Sequence, residues 1–498
     1  MRTAGILLPI TSLPSKYGIG SFSKEAYEFV DFLERAKQTY WQVLPMGPTG
    51  YGDSPYQSFS TFAGNPYFID LEELIEKGWL SRKDCEKIDF GNDEYSIDYE
   101  KIYNGRFALL RKAFAKSDIE NDEDFQKFEK ENAYWLDNYS LYMAIKTANK
   151  GKSFFEWPDD MRLRKNQAIK SFISDSKNSK EISFWKFLQY LFFTEWSALK
   201  SYANEKGIRI IGDIPIYVAG DSADTWANPE LFLLDEDGKP FGVAGCPPDY
   251  FSATGQLWGN PLYKWEYHKK TGFDWWIKRL EICFKLYDVV RIDHFRGFDE
   301  YYYIPYGDKT AEFGHWEKGP GYSLFEAIKK KLGKKQIIAE DLGFLTESVH
   351  KLVKKCGYPG MKILEFAFDS AEDNDYLPHN YDKNCVVYTG THDNDTLKGW
   401  YEKLGKNDKA GIKRYLGNPK GKEIYPAILR MAHSSVAETC IIPMQDYLGL
   451  GSEARINTPS TLGENWKWRM KADSYSMELA KEIQGLTETY GRCVKESQ

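Results

Sequence analysis

Eight short runs of apolar and β-branched residues restrict the fold of this chain more than anything else in its sequence. They lie at residues 4–10, 40–44, 208–214, 289–292, 336–339, 361–366, 385–389 and 438–442. The runs are nearly free of apolar/polar alternation, so they read as strands buried on both faces, the pattern of a parallel sheet sheathed in helices. Helix-like periodicity follows the runs at varying distances, and eight βα units close a barrel. An open doubly wound sheet would normally carry a Gly-rich phosphate turn after an early strand, and no GxGxxG occurs here. The sequence therefore predicts an α/β fold, a (β/α)8 TIM barrel occupying residues 1–498.

The spacing of the runs is uneven, which predicts an interrupted barrel with mainly helical inserted subdomains. Residues 70–205, rich in Lys, Glu, Asp and Tyr and helically periodic at 71–80 and 184–196, read as a helical insertion after the second strand. Within it the polar stretch 174–180 reads as a solvated loop. Residues 221–275 read as an insertion after the third strand, carrying the loop 245–263, GCPPDYFSATGQLWGNPLY, dense in Gly, Pro, aromatics and amides. No C-terminal β-sandwich is expected. The segment 456–469, INTPSTLGENWKWR, reads as a second lid whose Asn457, Pro459 and Asn465 are loop formers.

The totals narrow the function class. A formal charge of -7 lacks the basic surface that nucleic-acid binding needs. Fifteen Trp, 34 Tyr and 30 Phe supply many flat rings with a polar edge, suited either to a large core or to the apolar faces of sugars. Seven cysteines, an odd number without a CxxC pair, suit reduced thiols in a cytoplasm. The short N-terminal apolar run is broken by Pro9 and Pro14 and reads as a first strand; no segment approaches the roughly 20 apolar residues of a membrane span. The seven histidines show no HxH or HExxH pairing, and neither an EF-hand loop nor a P-loop is present, so no metal and no cofactor is expected.

Barrel enzymes carry their reactive groups at the C-terminal ends of strands. Acidic residues recur there: GDIPIYVAGDSAD after the third run, RIDHFRG after the fourth, AEDLG after the fifth and THDNDT after the seventh. A single Asp after a strand is usually a cap or turn former. Four acids, Asp213, Asp293, Glu340 and Asp393, with Arg291 and His392 beside two of them, would share one cavity in a barrel.

These strings, with GYGDSPYQ near the start, closely resemble the 4-α-glucanotransferases known as amylomaltase or disproportionating enzyme, over residues 5 to about 470. The same strand ends resemble the α-amylase superfamily more loosely. The resemblance implies Asp293 as nucleophile, Glu340 as general acid and base, and Asp393 as the carboxylate that steadies the transition state. It also implies that Asp213, Arg291 and His392 hold the sugar and that the Tyr56 ring stacks on it. Tyr51, Ser54 and His294 join them as candidate substrate contacts, with Tyr250, Phe251, Trp258 and Asn260 on or beside the loop.

The roles make chemical sense without the name. Retaining glycoside cleavage needs two carboxyls about 5 to 5.5 Å apart, one attacking the anomeric carbon and one protonating the departing oxygen. Arg291 stands two residues before Asp293, so on a strand both side chains point the same way and the guanidinium favours an ionised Asp293. Glu340 must be protonated when substrate arrives, which predicts a carboxyl raised by neighbouring carboxylates and partial desolvation. The implied partners are α-1,4-glucans and maltooligosaccharides, with glucose as an acceptor. A retaining α-1,4-glucan hydrolase is the rival among enzymes; a non-catalytic oligosaccharide-binding protein is the rival from another class, and it would need rings but not three convergent carboxyls.

Overall fold

The computed structural model describes residues 2–50, 52–248, 252–343, 345–368 and 374–493. Eight parallel strands form one sheet: β1 (Thr3–Leu7), β2 (Tyr40–Gln42), β3 (Arg209–Pro215), β4 (Val289–Asp293), β5 (Ile337–Ala339), β6 (Gly360–Ile363), β7 (Cys385–Tyr388) and β8 (Thr439–Pro443). Each overlaps one of the eight apolar runs. The order of neighbours is β6-β7-β8-β1-β2-β3-β4-β5. The ring is drawn together where the Ala339 N–H donates to the Pro359 carbonyl at 3.0 Å, between the end of β5 and the start of β6. The chain is thus a (β/α) barrel, as its strand pattern predicts.

The barrel forms because its strands have no polar face to leave in water. Ile210, Val290, Ile292, Ala339, Ile363, Val387, Ile441 and Ile442 are all buried. The helices outside it are one-sided by contrast: Lys24–Arg35 buries Ala26, Phe29, Val30, Phe32 and Leu33, and the Phe29 ring meets Trp41 of β2 edge-on at 5.1 Å. Inside the barrel, the Tyr388 hydroxyl of β7 donates to Gln42 Oε1 of β2 at 2.9 Å, so the polar tips of two buried side chains satisfy each other.

Between β2 and β3 run the long helices Tyr99–Lys116, Glu123–Ala148 and Ser176–Glu205. The stretch 174–180 is not a solvated loop: most of it is the first turn of the last of these helices. Asp175 caps that turn, its carboxylate accepting the N–H groups of Lys177 and Asn178 at 3.0 Å each, and this is why so polar a segment starts a helix. After β3 the chain adds a feature that the apolar runs do not signal. Strands Gly242–Cys246, Gln256–Pro261, Glu300–Pro305 and His315–Lys318 form an antiparallel sheet, in which Gly242–Cys246 pairs with both Gln256–Pro261 and Glu300–Pro305. One of those pairings spans β4, so no local turn signal announces it.

After β8 the described residues form helices and loops, ending in helix Met477–Thr489, which packs on helix Lys24–Arg35. Arg492 then donates to the carbonyls of Thr3 at 2.9 Å and His433 at 2.8 Å, tying the end of the chain to β1. None of the seven cysteines is in a disulfide, and among the described residues no helix is long and apolar enough to cross a membrane.

Close approach between layers depends on Gly212 of β3, where an added Cβ would stand 2.1 Å from the Tyr287 ring. Replacing Gly212→Ala is expected to destabilise the protein by about 1–3 kcal/mol through overpacking. Thermal unfolding monitored by circular dichroism checks this, and an unchanged midpoint would show that Tyr287 moves aside freely.

Candidate active site

The mouth of the barrel gathers its polar groups from the ends of β3, β4, β5 and β7. Register sets the first of them: Asp213 of β3 is paired with Arg291 of β4, and Pro215 with Asp293. Arg291 and Asp293 are two apart on one strand and so share a face. The result is a guanidinium held between two carboxylates, Arg291 Nη1 at 2.6 Å from Asp213 Oδ2 and Nη2 at 3.0 Å from Asp293 Oδ1. Arg291 and Asp213 are sealed from solvent, with side chains 3% and 0% exposed, whereas the Asp293 side chain opens to the cleft at 28%. Burial opposes the charge on Arg291, but the two aspartates outweigh it and raise its pKa well above normal.

Glu340 follows β5, whose Ala339 is paired with Ile292 of β4, so it stands beside Asp293 across one strand spacing. Its carboxyl is oriented by two backbone donors. His294 N–H reaches Oε2 at 2.7 Å and Leu342 N–H reaches Oε1 at 2.7 Å. The first of these bonds depends on a left-handed turn at His294, φ 55, where β4 breaks into the short helix Phe295–Phe298.

The two carboxyls hold protons unusually well. Burial pushes Asp293 up to about 6, with Asp213 and Asp393 adding to it and Arg291 and His392 opposing. Burial also pushes Glu340 up to about 7; the Asp293 charge adds to it, while Arg291 and the two backbone donors pull the other way. The neighbours therefore separate, Glu340 being the more readily protonated.

Asp393 lies beyond β7 and differs in kind. Burial pushes its carboxyl up, yet His392 Nε2 at 3.2 Å from Oδ2 and the Asn457 amide at 2.6 Å from Oδ1 outweigh it, holding the group below the ordinary carboxylate range. Arg455 donates to the Asp393 carbonyl at 2.7 Å. His392 is buried, which lowers its basicity, but Asp393 more than compensates and its pKa is raised. The Tyr56 ring stacks on His392 with centroids 5.2 Å apart, and its hydroxyl donates to Asp213 Oδ2 at 2.8 Å.

The structure thus brings Asp213, Arg291, Asp293, Glu340, His392, Asp393 and Tyr56 to one cleft. His294 lines it as a half-buried imidazole, pushed down to about 3 by desolvation and the Arg296 charge, and Trp258 meets its ring edge-on at 4.8 Å. Asn260 acts as a brace: its amide donates to the Val218 carbonyl at 2.7 Å and accepts from Gln57 at 3.2 Å. The Ser54 hydroxyl accepts the Tyr56 N–H at 3.3 Å. Tyr51, Tyr250 and Phe251 lie outside the described residues. Three residues not singled out as site residues by the sequence belong here: Asn457, read there as a loop former, Arg455, and Trp466, whose ring lies 5.9 Å from Tyr56 and 6.0 Å from His392. No spacing motif connects them to Asp393, more than 60 residues earlier, so only the fold reveals them. Among the described residues no group of three or more His, Cys, Asp or Glu is arranged to hold a metal ion.

The chain is similar to known proteins over nearly its whole length. The family described as 4-alpha-glucanotransferase matches residues 8–475. A 4-alpha-glucanotransferase of Clostridium butyricum is 53% identical over 486 residues, covering 97% of this chain and 99% of its own. One from Streptococcus pneumoniae is 50% identical over 494 residues, covering 99% and 97%. An amylomaltase from Streptococcus agalactiae, solved in complex with acarbose, superposes with a TM-score of 0.96 at 42% identity, covering 99% of this chain and 100% of that one.

The raised carboxyl of Asp293 has a cost in stability whose sign is fixed. Below about pH 4 both the folded and unfolded forms carry the proton, and no cost exists. As pH rises toward about 6 the unfolded chain loses its proton first, so stability falls, and above about 6 the cost is complete. Allowing for screening by the open cleft, Asp293→Asn is expected to stabilise the protein at pH 8 by about 1–2 kcal/mol, or roughly 1–2 °C for a chain this long. The gain should shrink toward zero near pH 4. A midpoint difference independent of pH would show that Asp293 is not strained by its charge.

Proposed function

The chain belongs to the 4-alpha-glucanotransferase family, and from that premise we propose that it cuts α-1,4-glucans and passes the freed segment to the 4-OH of glucose or of another glucan. The observation that carries the mechanism is the Asp293 and Glu340 pair at neighbouring strand ends, each carboxyl raised but to different degrees. A cleft able to receive an oligosaccharide is supported by the related amylomaltase that holds acarbose.

In the first half-reaction an Asp293 oxygen attacks the anomeric carbon while the bond from that carbon to the bridging oxygen breaks. Glu340 gives its proton to the departing oxygen, and the donor's reducing-end piece leaves. In the second half, Glu340, now a carboxylate, takes the proton of the acceptor 4-OH, whose oxygen displaces Asp293 from the anomeric carbon. Configuration is retained and Glu340 regains its proton. The Arg291 guanidinium favours the anionic Asp293 that attack requires. Asp393, held ionised by His392 and Asn457, puts negative charge near the oxocarbenium-like centre without adjusting during reaction. Tyr56 and His392 offer a ring wall for the sugar, and Asp213 keeps Arg291 in line.

Transfer in place of hydrolysis requires an acceptor that is well bound and water that is badly placed. Trp258, on the antiparallel sheet and against His294, supports that role for the strand-three insertion. We also place the protein in the cytoplasm, whose reducing poise suits seven cysteines none of which is in a disulfide.

Incubation with maltotriose alone tests the reaction. A transferase produces glucose and glucans longer than the donor with little gain in reducing ends; a product mixture of glucose and maltose alone, with reducing ends rising, would make the enzyme a hydrolase. Asp293→Asn is expected to lower kcat by at least about 10³-fold. The pH profile of kcat/KM should be a bell: activity falls below about 6 as Asp293 takes up a proton and above about 7 as Glu340 loses one. A profile with a single limb would contradict the division of labour between the two carboxyls.

A further inference from the structure

Asp393 and His392 stand on a loop, residues 390–396, and a loop needs outside support to hold a reactive group in place. The loop connects β7 to helix Leu397–Lys403. Within it, Asn394 Oδ1 accepts both the N–H and the hydroxyl of Thr391, at 2.9 Å each, which makes the turn compact. On one flank the loop packs closely on Glu365: a Cβ added at Gly390 would stand 2.9 Å from its Oε1.

Both feet of this loop rest on one side chain. Asp446 lies on the short helix Met444–Tyr447 immediately after β8 and is 5% exposed. Thr389, the residue that precedes the loop, donates its hydroxyl to Asp446 Oδ2 at 2.5 Å; Leu397, the residue that follows it, donates its N–H to Oδ1 at 2.8 Å. A carboxylate offers two acceptors at a fixed separation, so it sets the distance between the two donors as well as satisfying them. We propose that Asp446 is a positioning residue for the transfer reaction: by spanning both feet of the 390–396 loop, it aims the Asp393 carboxyl at the cleaving sugar. The proposal rests on the reading of Asp393 as the charge that faces that sugar. Asp446 touches no substrate and acts only through the loop.

The contacts around Asp393 give the clamp something to work against. Asn457 and Arg455 hold Asp393 from the C-terminal segment, and Ser452 donates to Asp395 Oδ2 at 2.8 Å from the same side. Asp446 supplies the fixed base beneath. Without it the feet separate, and the loop turns about the contacts that remain.

The test is a double-mutant cycle read by steady-state kinetics on maltotriose. Since a misplacement of about 1 Å costs about 10²-fold, Asp446→Ala is expected to lower kcat roughly 30- to 100-fold while KM changes less than about threefold. Asp446→Asn keeps one acceptor for Leu397 and turns its NH₂ toward the Thr389 oxygen, so it should recover kcat to within about fivefold of the parent. In an Asp393→Asn background, Asp446→Ala should cost less than about threefold more, because the group it aims is gone. Thr389→Val removes one of the two bonds at nearly constant volume, and it carries the same comparison where Asp446→Ala does not fold. Equal losses in both backgrounds, or an Asn variant as impaired as the Ala variant, would overturn the positioning role. An Asp393→Asn enzyme with the parent kcat would overturn the reading of Asp393, and the proposal with it.

Discussion

A single buried cation organises the centre of this protein. Arg291 lies inside the barrel mouth with Asp213 on one side and Asp293 on the other, and almost none of its surface reaches water. A guanidinium in that position is stable only while a buried carboxylate faces it; removal of Asp213, the partner sealed from solvent with it, costs about 3–5 kcal/mol. The positions of β3 and β4 must therefore be held to the register that pairs Asp213 with Arg291. A slip of one residue would turn the charged side chains into the helical layer and the Ile side chains into the cleft. The barrel's hydrophobic strands and its ion triad thus demand the same register for separate reasons, and that agreement leaves one arrangement open to the sequence.

The same cation, together with burial, explains why four neighbouring acids behave differently. Asp213 is enclosed with Arg291 and Tyr56 and serves as their anchor. Asp293 shares the guanidinium but also feels Asp213 and Asp393, so its charge is tolerated without being comfortable. Glu340 is buried and stands next to Asp293, and Arg291 and its two backbone donors do not offset this, so of the four it keeps its proton longest. Asp393 has its own cationic and amide neighbours and stays ionised. Burial, distance from one fixed positive charge and local hydrogen bonds give chemically similar side chains the different proton affinities that the proposed acid, nucleophile and electrostatic support require.

How much of this was legible in the sequence depended on whether the signal was local. Each barrel strand announces itself by unbroken apolar composition, and β3 to β5 and β7 end in the acids that meet at the mouth; adjacency in the barrel then follows from topology. The contact between Arg291 and Asp293 is readable from a spacing of two on a strand. Contacts between distant segments carry no such mark. Asn457 and Arg455 look like ordinary loop residues until the chain returns to Asp393, and the antiparallel sheet that presents Trp258 pairs strands on either side of β4. The stretch 174–180 failed for the opposite reason: its polarity, which does mark an exposed segment, suggested a loop, whereas the capping carboxylate of Asp175 makes it a helix start. Tyr51, Tyr250 and Phe251 lie outside the described residues.

The placement of these two kinds of signal has a physical logic. In the proposed reaction, attack and proton transfer need reacting atoms within hydrogen-bond range, and strand register brings Asp293 and Glu340 to neighbouring strand ends, where Arg291 and two backbone N–H groups orient them. The charge support proposed for Asp393 falls off more gently with distance, so it can be carried on a loop, provided that the loop is prevented from drifting. The protein meets that condition with residues from the last part of the chain, Asp446 below the loop and Arg455 and Asn457 against it. The final barrel strand and the segment after it must therefore fold before the loop after β7 is fully constrained. Completion of the fold and completion of the electrostatic environment are in this way the same event, because the residues that hold the Asp393 carboxylate lie beyond the last barrel strand.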